Sequence, residues 1–115
     1  MKVEDYVRTK YGIAKIGSIG KYKGIDIIAT DKQPYGIKEI IKSSPNIIDL
    51  IEVGDYVNGH RIEEISINKY DVKVLYYEIP SDYGYEEMLA KQIKSIVTKE
   101  QFESMEYKVN NNENK

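Results

Sequence analysis

The sequence contains 115 residues, of which 31% are charged, and its formal net charge is −2. This length accommodates one small domain or two very small ones, and the balanced charge favours no class of partner. The absence of cysteine excludes disulfides, zinc ribbons and thiol catalysis. No segment reaches the roughly 18 apolar residues of a membrane span, and the first residues lack the pattern of a signal peptide. We therefore expect no membrane partner and a cytoplasmic location.

Short β-favouring runs separated by turn residues dominate the first half. The predicted elements are a strand over 5–10, a strand over 13–16 that ends at the glycines of 17–20, a loop over 21–24, a strand over 24–30, a turn over 31–36 and a strand over 37–43. Ile37, Ile40 and Ile41 also fit a helical spacing, but the run is short for a helix. Ser44-Pro45 combines an N-cap hydroxyl with a proline at the first helical position, so 46–51 is predicted as one or two helical turns.

The second half follows the same plan. The predicted elements are a strand over 55–57, a turn at Asn58-Gly59, a strand over 61–67, a turn over 68–71, a strand over 72–79, a loop over 80–85 and a strand, less favourably a helix, over 86–92. Thr98 and Gln101 fit a capping box that opens a short helix ending at Ser104 or Met105. An edge strand over 107–109 and a frayed polar tail over 110–115 complete the prediction.

Two phrases recur in the same order about fifty residues apart. Val3-Glu4-Asp5-Tyr6-Val7 returns as Val53-Gly54-Asp55-Tyr56-Val57, and Ile41-Lys42-Ser43 returns as Ile93-Lys94-Ser95. Such self-similarity indicates two copies of one small unit. We predict a mainly β fold of two tandem SH3-like small barrel units, 1–52 and 53–109, each with a short helical turn, and a disordered tail over 110–115. One larger mixed barrel is the alternative. Units this small bury a marginal core alone, so we expect them to pack together.

Two runs resemble a group of small accessory proteins encoded in prophages and other mobile elements of Firmicutes. They extend from Ile41 to Gly59, IKSSPNIIDLIEVGDYVNG, and from Ile93 to Met105, IKSIVTKEQFESM. These runs contain 32 of the 115 residues, and the resemblance implies a phage setting, a location in the host cytoplasm and no specific activity. It also implies that 11–40 and 60–92 determine specificity. Small phage accessory proteins often disable host defences, including CRISPR–Cas effectors. The phage setting alone therefore leads us to expect a defence complex as the target.

The residue pattern favours binding over catalysis. His60 is the only histidine and lies in a predicted tight turn, without the partners that a general base requires. The acidic residues have no metal-binding spacing, and the glycines Gly17, Gly20 and Gly24 lack the lysine of a phosphate loop. We therefore predict no catalytic residue, no metal and no cofactor.

Eleven tyrosines and an uneven charge distribution are the candidate binding features. Residues 1–51 contain nine Lys/Arg and six Asp/Glu, a net +3, whereas residues 52–115 contain eight and thirteen, a net −5. Tyrosine is enriched in binding hot spots, although here it also substitutes for other aromatic residues in small cores. The predicted partner-binding residues combine loop tyrosines with charged neighbours: Asp82, Tyr83, Tyr85, Glu86, Glu87, Tyr70, Tyr22, Lys21 and Lys23.

Three functions follow from these features. The first is a non-enzymatic inhibitor of a host defence protein or ribonucleoprotein complex, with a CRISPR–Cas effector as the leading target. The second is a nucleic-acid-binding regulator that uses the basic first unit, whose relevant residues are Arg8, Lys10, Tyr11, Lys15, Lys21, Tyr22, Lys23 and Lys32. The third is a sponge for a nucleotide second messenger, with Arg8 and Arg61 as anion donors. Either a monomer or a homodimer is compatible with the sequence.

Overall fold

The structure is a computed structural model that describes residues 1–80 and 84–105, and this part of the chain is mainly β. Its strands form two five-stranded antiparallel sheets. The prediction of a mainly β fold is therefore confirmed. None of the described helices is long and apolar enough to cross a membrane.

The first sheet is built by the first half of the chain. Its strands are β1 (Tyr6–Thr9), β2 (Gly12–Tyr22), β3 (Ile25–Thr30), β4 (Pro34–Gly36) and β5 (Lys42–Ser44), with 3-10 helices at Ile37–Glu39 and Ile47–Leu50. The order in the sheet is β4-β3-β2-β1-β5. The chain thus returns to place its last strand beside its first.

The second sheet is built by the second half. Its strands are β6 (Tyr56–Val57), β7 (His60–Ile67), β8 (Lys73–Ile79), β9 (Gly84–Met88) and β10 (Ile96–Val97), followed by helix α1 (Lys99–Met105), and a 3-10 helix lies at Ala90–Gln92. The strand order is β10-β6-β7-β8-β9. The first sheet, written from its other edge, has the order β5-β1-β2-β3-β4, so each strand has a counterpart at the same place in the other sheet. Thr98 and Gln101 form the predicted capping box, in which Gln101 Oε1 accepts from Thr98 N at 2.8 Å.

The backbone hydrogen bonds at the recurring phrase also match. Glu4 N donates to Ile16 O at 2.9 Å, and Gly54 N donates to Ile62 O at 2.9 Å. Both donors have a positive φ, +77° and +98°, which a glycine adopts with less strain. A register shift follows Ile16 in the first sheet and Ile62 in the second. The two halves therefore share one backbone plan down to the position of a bulge.

Several predicted boundaries are wrong, and the bulge explains the largest error. Gly17 lies at the register shift, and β2 continues beyond it through Lys21 to Tyr22, so 17–20 is not a stop and 21–22 is not a loop. Glycine inside a strand often marks a bulge, which sequence patterns do not distinguish from a turn.

Three further segments differ from the prediction. Residues 34–36 form β4 instead of a turn, and 37–43 begins with a 3-10 helix before β5. Tyr85 lies in β9 instead of a loop, and the strand predicted over 86–92 gives way to a 3-10 helix at 90–92. The strand predicted over 107–109 and the tail 110–115 lie outside the described residues.

Neither described sheet closes into a barrel. The outer strands β4 and β5 of the first sheet, and β9 and β10 of the second, each pair with one neighbour only. The predicted barrel closure through strand pairing is therefore wrong for the described part of the chain. Open sheets leave their edge strands available to other chains.

The larger core cluster contains residues from both halves. Ile13, Ile48, Leu50 and Ile51 pack with four buried residues of the second half: Val57, Ile62, Leu75 and Met88. A smaller cluster, centred on Ile28 and Tyr35, belongs to the first sheet alone. The first half therefore buries its 3-10 helix at 47–50 against the second sheet.

A buried arginine joins the two halves. Arg8 of β1 is fully buried, and its Nη2 donates to Asp55 Oδ1 and to Glu100 Oε2, both at 2.8 Å. Its Nη1 donates to Leu50 O at 2.8 Å. The two carboxylates raise the pKa of Arg8 above its usual value, against the opposing effect of burial. This side chain therefore stays cationic and binds three segments at once.

Asp55, from the second half of the chain, is the main partner of Arg8 at the junction, by which we mean the contacts of Arg8 with Leu50, Asp55 and Glu100. It is fully buried, and besides Arg8 it accepts from Glu52 N at 2.8 Å and from Lys99 N at 2.9 Å. The carboxylate thus binds the first turn of α1, where the helix dipole favours a negative charge. Gly12, at φ +113°, lies so close to the Gln101 side chain that a Cβ would stand 2.7 Å from it.

Loss of the arginine should strongly destabilise the fold. Arg8→Met leaves Asp55 buried without its cation, and breaking one partner of a buried ion pair costs about 3–5 kcal/mol. We expect urea denaturation at pH 7 to show a loss of that size. Lys42→Met, at the exposed cross-strand neighbour of Arg8, is the control and should stay within about 0.5 kcal/mol of the parent. A loss below about 1 kcal/mol in Arg8→Met would contradict the structural role.

Protonation of Glu52 at low pH should weaken the ion pairs beside Arg8 and so lower the stability of the fold. The hydrogen bond from Lys99 Nζ at 2.8 Å, together with the charge of Arg8, lowers the pKa of Glu52 below its ordinary value of 4.5. A carboxylate with a lowered pKa stabilises the fold above its unfolded pKa, and this stabilisation is lost as the pH falls through the folded pKa. We expect Glu52→Gln to be less stable at pH 7 and to lose less stability on acidification below 4.5. Parallel pH profiles of parent and variant would refute this.

Candidate functional site

Strand register places acidic and aromatic side chains on one face of the second sheet. Tyr76 lies opposite both Glu64 and Glu87, and Glu78 lies opposite Tyr85. Directly opposed residues in antiparallel strands, and residues two apart in one strand, share a face. We call these five residues, Glu64, Tyr76, Glu78, Tyr85 and Glu87, the acidic face.

The carboxylates of the acidic face are exposed, and no described residue pairs with them. Tyr85 is 66% exposed, and Glu64, Glu78 and Glu87 are exposed as well. Within residues 1–80 and 84–105, none of these three glutamates forms an ion pair. By contrast, Glu63 binds Arg61 at 2.8 Å. Three exposed carboxylates on the same sheet face as an exposed tyrosine form a surface complementary to a basic one.

The structure brings together only part of the predicted partner-binding set. Tyr85 and Glu87 lie on the acidic face, whereas Glu86 points to the opposite side of β9. Tyr70 lies in the turn between β7 and β8, and is 73% exposed. The remaining three described members, Lys21, Tyr22 and Lys23, lie at the β2–β3 turn of the other sheet. Asp82 and Tyr83 lie outside the described residues.

Three residues of the acidic face were missed as site residues: Glu64, Tyr76 and Glu78. Tyr76 and Glu78 belong to a strand that the sequence predicts correctly, but the prediction places Tyr85 in a loop. Without the pairing of β8 with β9, nothing in the sequence sets Glu78 opposite Tyr85. Finding these residues requires the register between neighbouring strands, and the alternation of apolar residues within one strand does not reveal that register.

The opposite side of the sheet contains a row of three polar residues. The His60 ring stacks on Tyr77 with 4.1 Å between centroids, and Tyr77 Oη donates to Glu86 Oε2 at 2.8 Å. That hydrogen bond favours the protonated phenol and raises the pKa of Tyr77. His60 is the first residue of β7 instead of a turn residue, and it is exposed. The row stabilises the pairing of β7, β8 and β9 through side-chain contacts.

A cavity of about 580 Å³ lies between the halves. Its lining includes Tyr6 and Asn46 from the first half and Lys73 from the second. Lys73 Nζ lies 3.2 Å from Asp49 Oδ1, and Ser44 Oγ donates to Asp49 Oδ2 at 2.9 Å. These contacts lower the pKa of Asp49. Lys73 and Asp49 of the cavity lining thus join the halves, and the described residues contain no cluster suited to a metal ion.

Several cations on which the two alternative binding hypotheses draw are buried or paired with carboxylates in the structure. Arg8, a proposed phosphate contact, is fully buried between carboxylates. Lys15 pairs with Glu4 at 2.9 Å, and Lys21 lies 3.8 Å from Asp26. Arg61, the other proposed anion donor, pairs with Glu63. Arg8 is therefore not available to a nucleic-acid phosphate at the surface.

Comparisons with known proteins do not extend this description. The chain matches no protein-family model, and searches of curated proteins and of solved structures gave no significant match.

Proposed function

We propose that this chain is a non-enzymatic phage accessory protein that binds and inhibits a host antiphage defence complex. The binding surface in this proposal is the acidic face, and the leading target is a CRISPR–Cas effector in the host cytoplasm. The observation that supports it best is the set of three glutamates that share a sheet face with the exposed Tyr85 and form no ion pair within the described residues.

The chemistry of the acidic face fits a basic protein surface. Defence complexes that handle nucleic acid have positively charged grooves, which attract a surface with the charge of Glu64, Glu78 and Glu87. Complementary charge of this kind steers association and suppresses wrong partners. Tyr76 and Tyr85 add aromatic contact area at low entropic cost.

The phage setting in this proposal depends on the resemblance of 41–59 and 93–105 to prophage accessory proteins. In the structure these runs supply the groups that bind Arg8 at the contact between the halves: the 3-10 helix at 47–50, Asp55 and α1. The acidic face lies within 60–92, the segment that the resemblance leaves variable. This division between scaffold and binding surface supports the proposal.

We further propose that each half is an SH3-like unit. Five short strands in about fifty residues with a 3-10 turn before the last strand support this assignment. Such units commonly bind partners through loops and sheet surfaces without an enzymatic activity of their own.

Charge reversal on the acidic face should abolish inhibition. We expect Glu78→Lys/Glu87→Lys to raise the concentration needed to inhibit target cleavage by purified effectors at least about tenfold, equivalent to about 1.4 kcal/mol. The same variant should fail to protect phage in hosts carrying the inhibited system. Effectors of several CRISPR–Cas types are tested in parallel with the parent protein.

The matched control is Glu39→Lys/Glu103→Lys, which changes two exposed glutamates away from the acidic face by the same charge. It should inhibit within about twofold of the parent, because distant surface charges affect binding weakly. Equal losses in both variants would assign the effect to net charge. No inhibition of any effector and no protection of phage by the parent would refute the proposed function.

A further inference from the structure

The two long hairpins end in the same four-residue pattern. Ile19-Gly20-Lys21-Tyr22 forms the end of β2, and Ile67-Asn68-Lys69-Tyr70 begins at the last residue of β7, two residues farther along its hairpin. The β2–β3 and β7–β8 hairpins occupy matching places in the two sheets. We call the segments 19–25 and 67–72 the twin tips.

The turns that carry the two Ile-x-Lys-Tyr runs differ in structure. In the first tip, Lys23 and Gly24 form a two-residue turn with φ of +52° and +80°. In the second, Asn68 Oδ1 accepts from Tyr70 N at 2.9 Å and from Val72 N at 3.1 Å, which holds a longer turn. Since the backbones differ, a shared turn structure does not explain the shared Ile-x-Lys-Tyr pattern.

Core packing does not explain the pattern either. Tyr22 and Tyr70 are 65% and 73% exposed, and Ile25 and Ile67 beside them are 59% and 60% exposed. Exposed apolar groups that recur at two equivalent tips indicate a contact surface.

Each tip places a cation beside its aromatic ring; in the first tip this cation is Lys23, whereas Lys21 of the shared pattern lies 3.8 Å from Asp26. Lys23 Nζ lies 5.4 Å from the ring centroid of Tyr22, and Lys69 Nζ lies 5.2 Å from that of Tyr70. Within residues 1–80 and 84–105, neither lysine forms an ion pair. Both ammonium groups therefore remain available to an anion, next to a ring with an exposed face.

We propose that the twin tips bind single-stranded nucleic acid, with Tyr22 and Tyr70 stacking on bases and Lys23 and Lys69 contacting phosphates. Stacking on an aromatic side chain beside a phosphate-binding cation is how proteins hold single strands without sequence preference. Lysine is depleted in protein–protein interfaces, so its place beside both rings favours a phosphate ligand. This inference is independent of the proposed function, since no residue of the acidic face takes part.

The test measures binding of fluorescein-labelled 20-nucleotide single strands of DNA and RNA by anisotropy, in low salt. Tyr22→Ala and Tyr70→Ala should each weaken binding about tenfold, since one stacked base contributes about 1–3 kcal/mol. The double variant should weaken it further, because two linked contacts act together. Tyr22→Phe/Tyr70→Phe keeps both rings and should bind like the parent.

Two controls separate this surface from the rest of the molecule. Tyr85→Ala removes an equally exposed tyrosine and should not weaken binding. Lys23→Gln/Lys69→Gln should flatten the dependence of log affinity on log salt by about 1.4, at about 0.7 per lost phosphate contact. Lys38→Gln/Lys91→Gln makes the same charge change at two other exposed lysines and should leave the slope unchanged.

Absence of measurable binding in low salt, or an equal loss in Tyr85→Ala, would overturn this inference. A requirement of the tips for inhibition of a defence complex without oligonucleotide binding would also overturn it, and would assign the tips to a protein partner. Glu78→Lys/Glu87→Lys should keep or strengthen oligonucleotide binding, since it removes negative charge. Failure of the proposed function is therefore distinguishable from failure of this inference.

Discussion

The ion pair between Arg8 and Asp55 is the interaction on which the arrangement of the two halves depends. Each half has about fifty residues, too few to bury a stable core alone, and the larger core cluster forms only when both are in contact. Buried charges are tolerated only when their hydrogen bonds are satisfied. Here the described part of the chain leaves no buried side-chain nitrogen or oxygen without a partner. The pair therefore favours one docked geometry of the halves over alternatives that would leave a charge buried and unpaired.

The repeat is symmetric in backbone and asymmetric in chemistry. Asp5 and Asp55 occupy the same place, and each accepts a hydrogen bond from the residue three positions before it, at 3.0 and 2.8 Å. Only Asp55 is fully buried and bound by an arginine. The position that matches Arg8 is Asn58, which bonds Gln92 O and Lys94 N within its own half. One copy thus supplies the cation and the other the anion, so the two halves complement each other instead of competing for one role.

How much the sequence predicts depends on how local the determining interaction is. The repeated phrase, the Thr98–Gln101 capping box and the turn at Asn58-Gly59 involve neighbours in the chain, and all three predictions agree with the structure. The bulge at Gly17 and the acidic face depend on pairing between distant strands, so the pattern in one strand does not reveal them. Arg8 shows the same limit: sequence treats a lone arginine among lysines as a surface cation, whereas its partners lie 47 and 92 residues away.

The two proposed surfaces differ in charge, and the length of β8 separates them. From the turn at Val72 to Tyr76, which lies opposite Glu64 and Glu87, the strand extends about 14 Å at about 3.4 Å per residue, and Glu78 lies farther away. Charges on the surface are screened beyond about 8 Å at physiological salt. The glutamates therefore repel a phosphate at the Tyr70 tip only weakly, although both belong to one hairpin. Under the two proposals, one partner could bind both surfaces at once if it has a basic protein surface, which would contact the acidic face, beside an exposed single strand, which would contact the twin tips. A ribonucleoprotein has that composition, whereas a protein without nucleic acid would leave the twin tips unused.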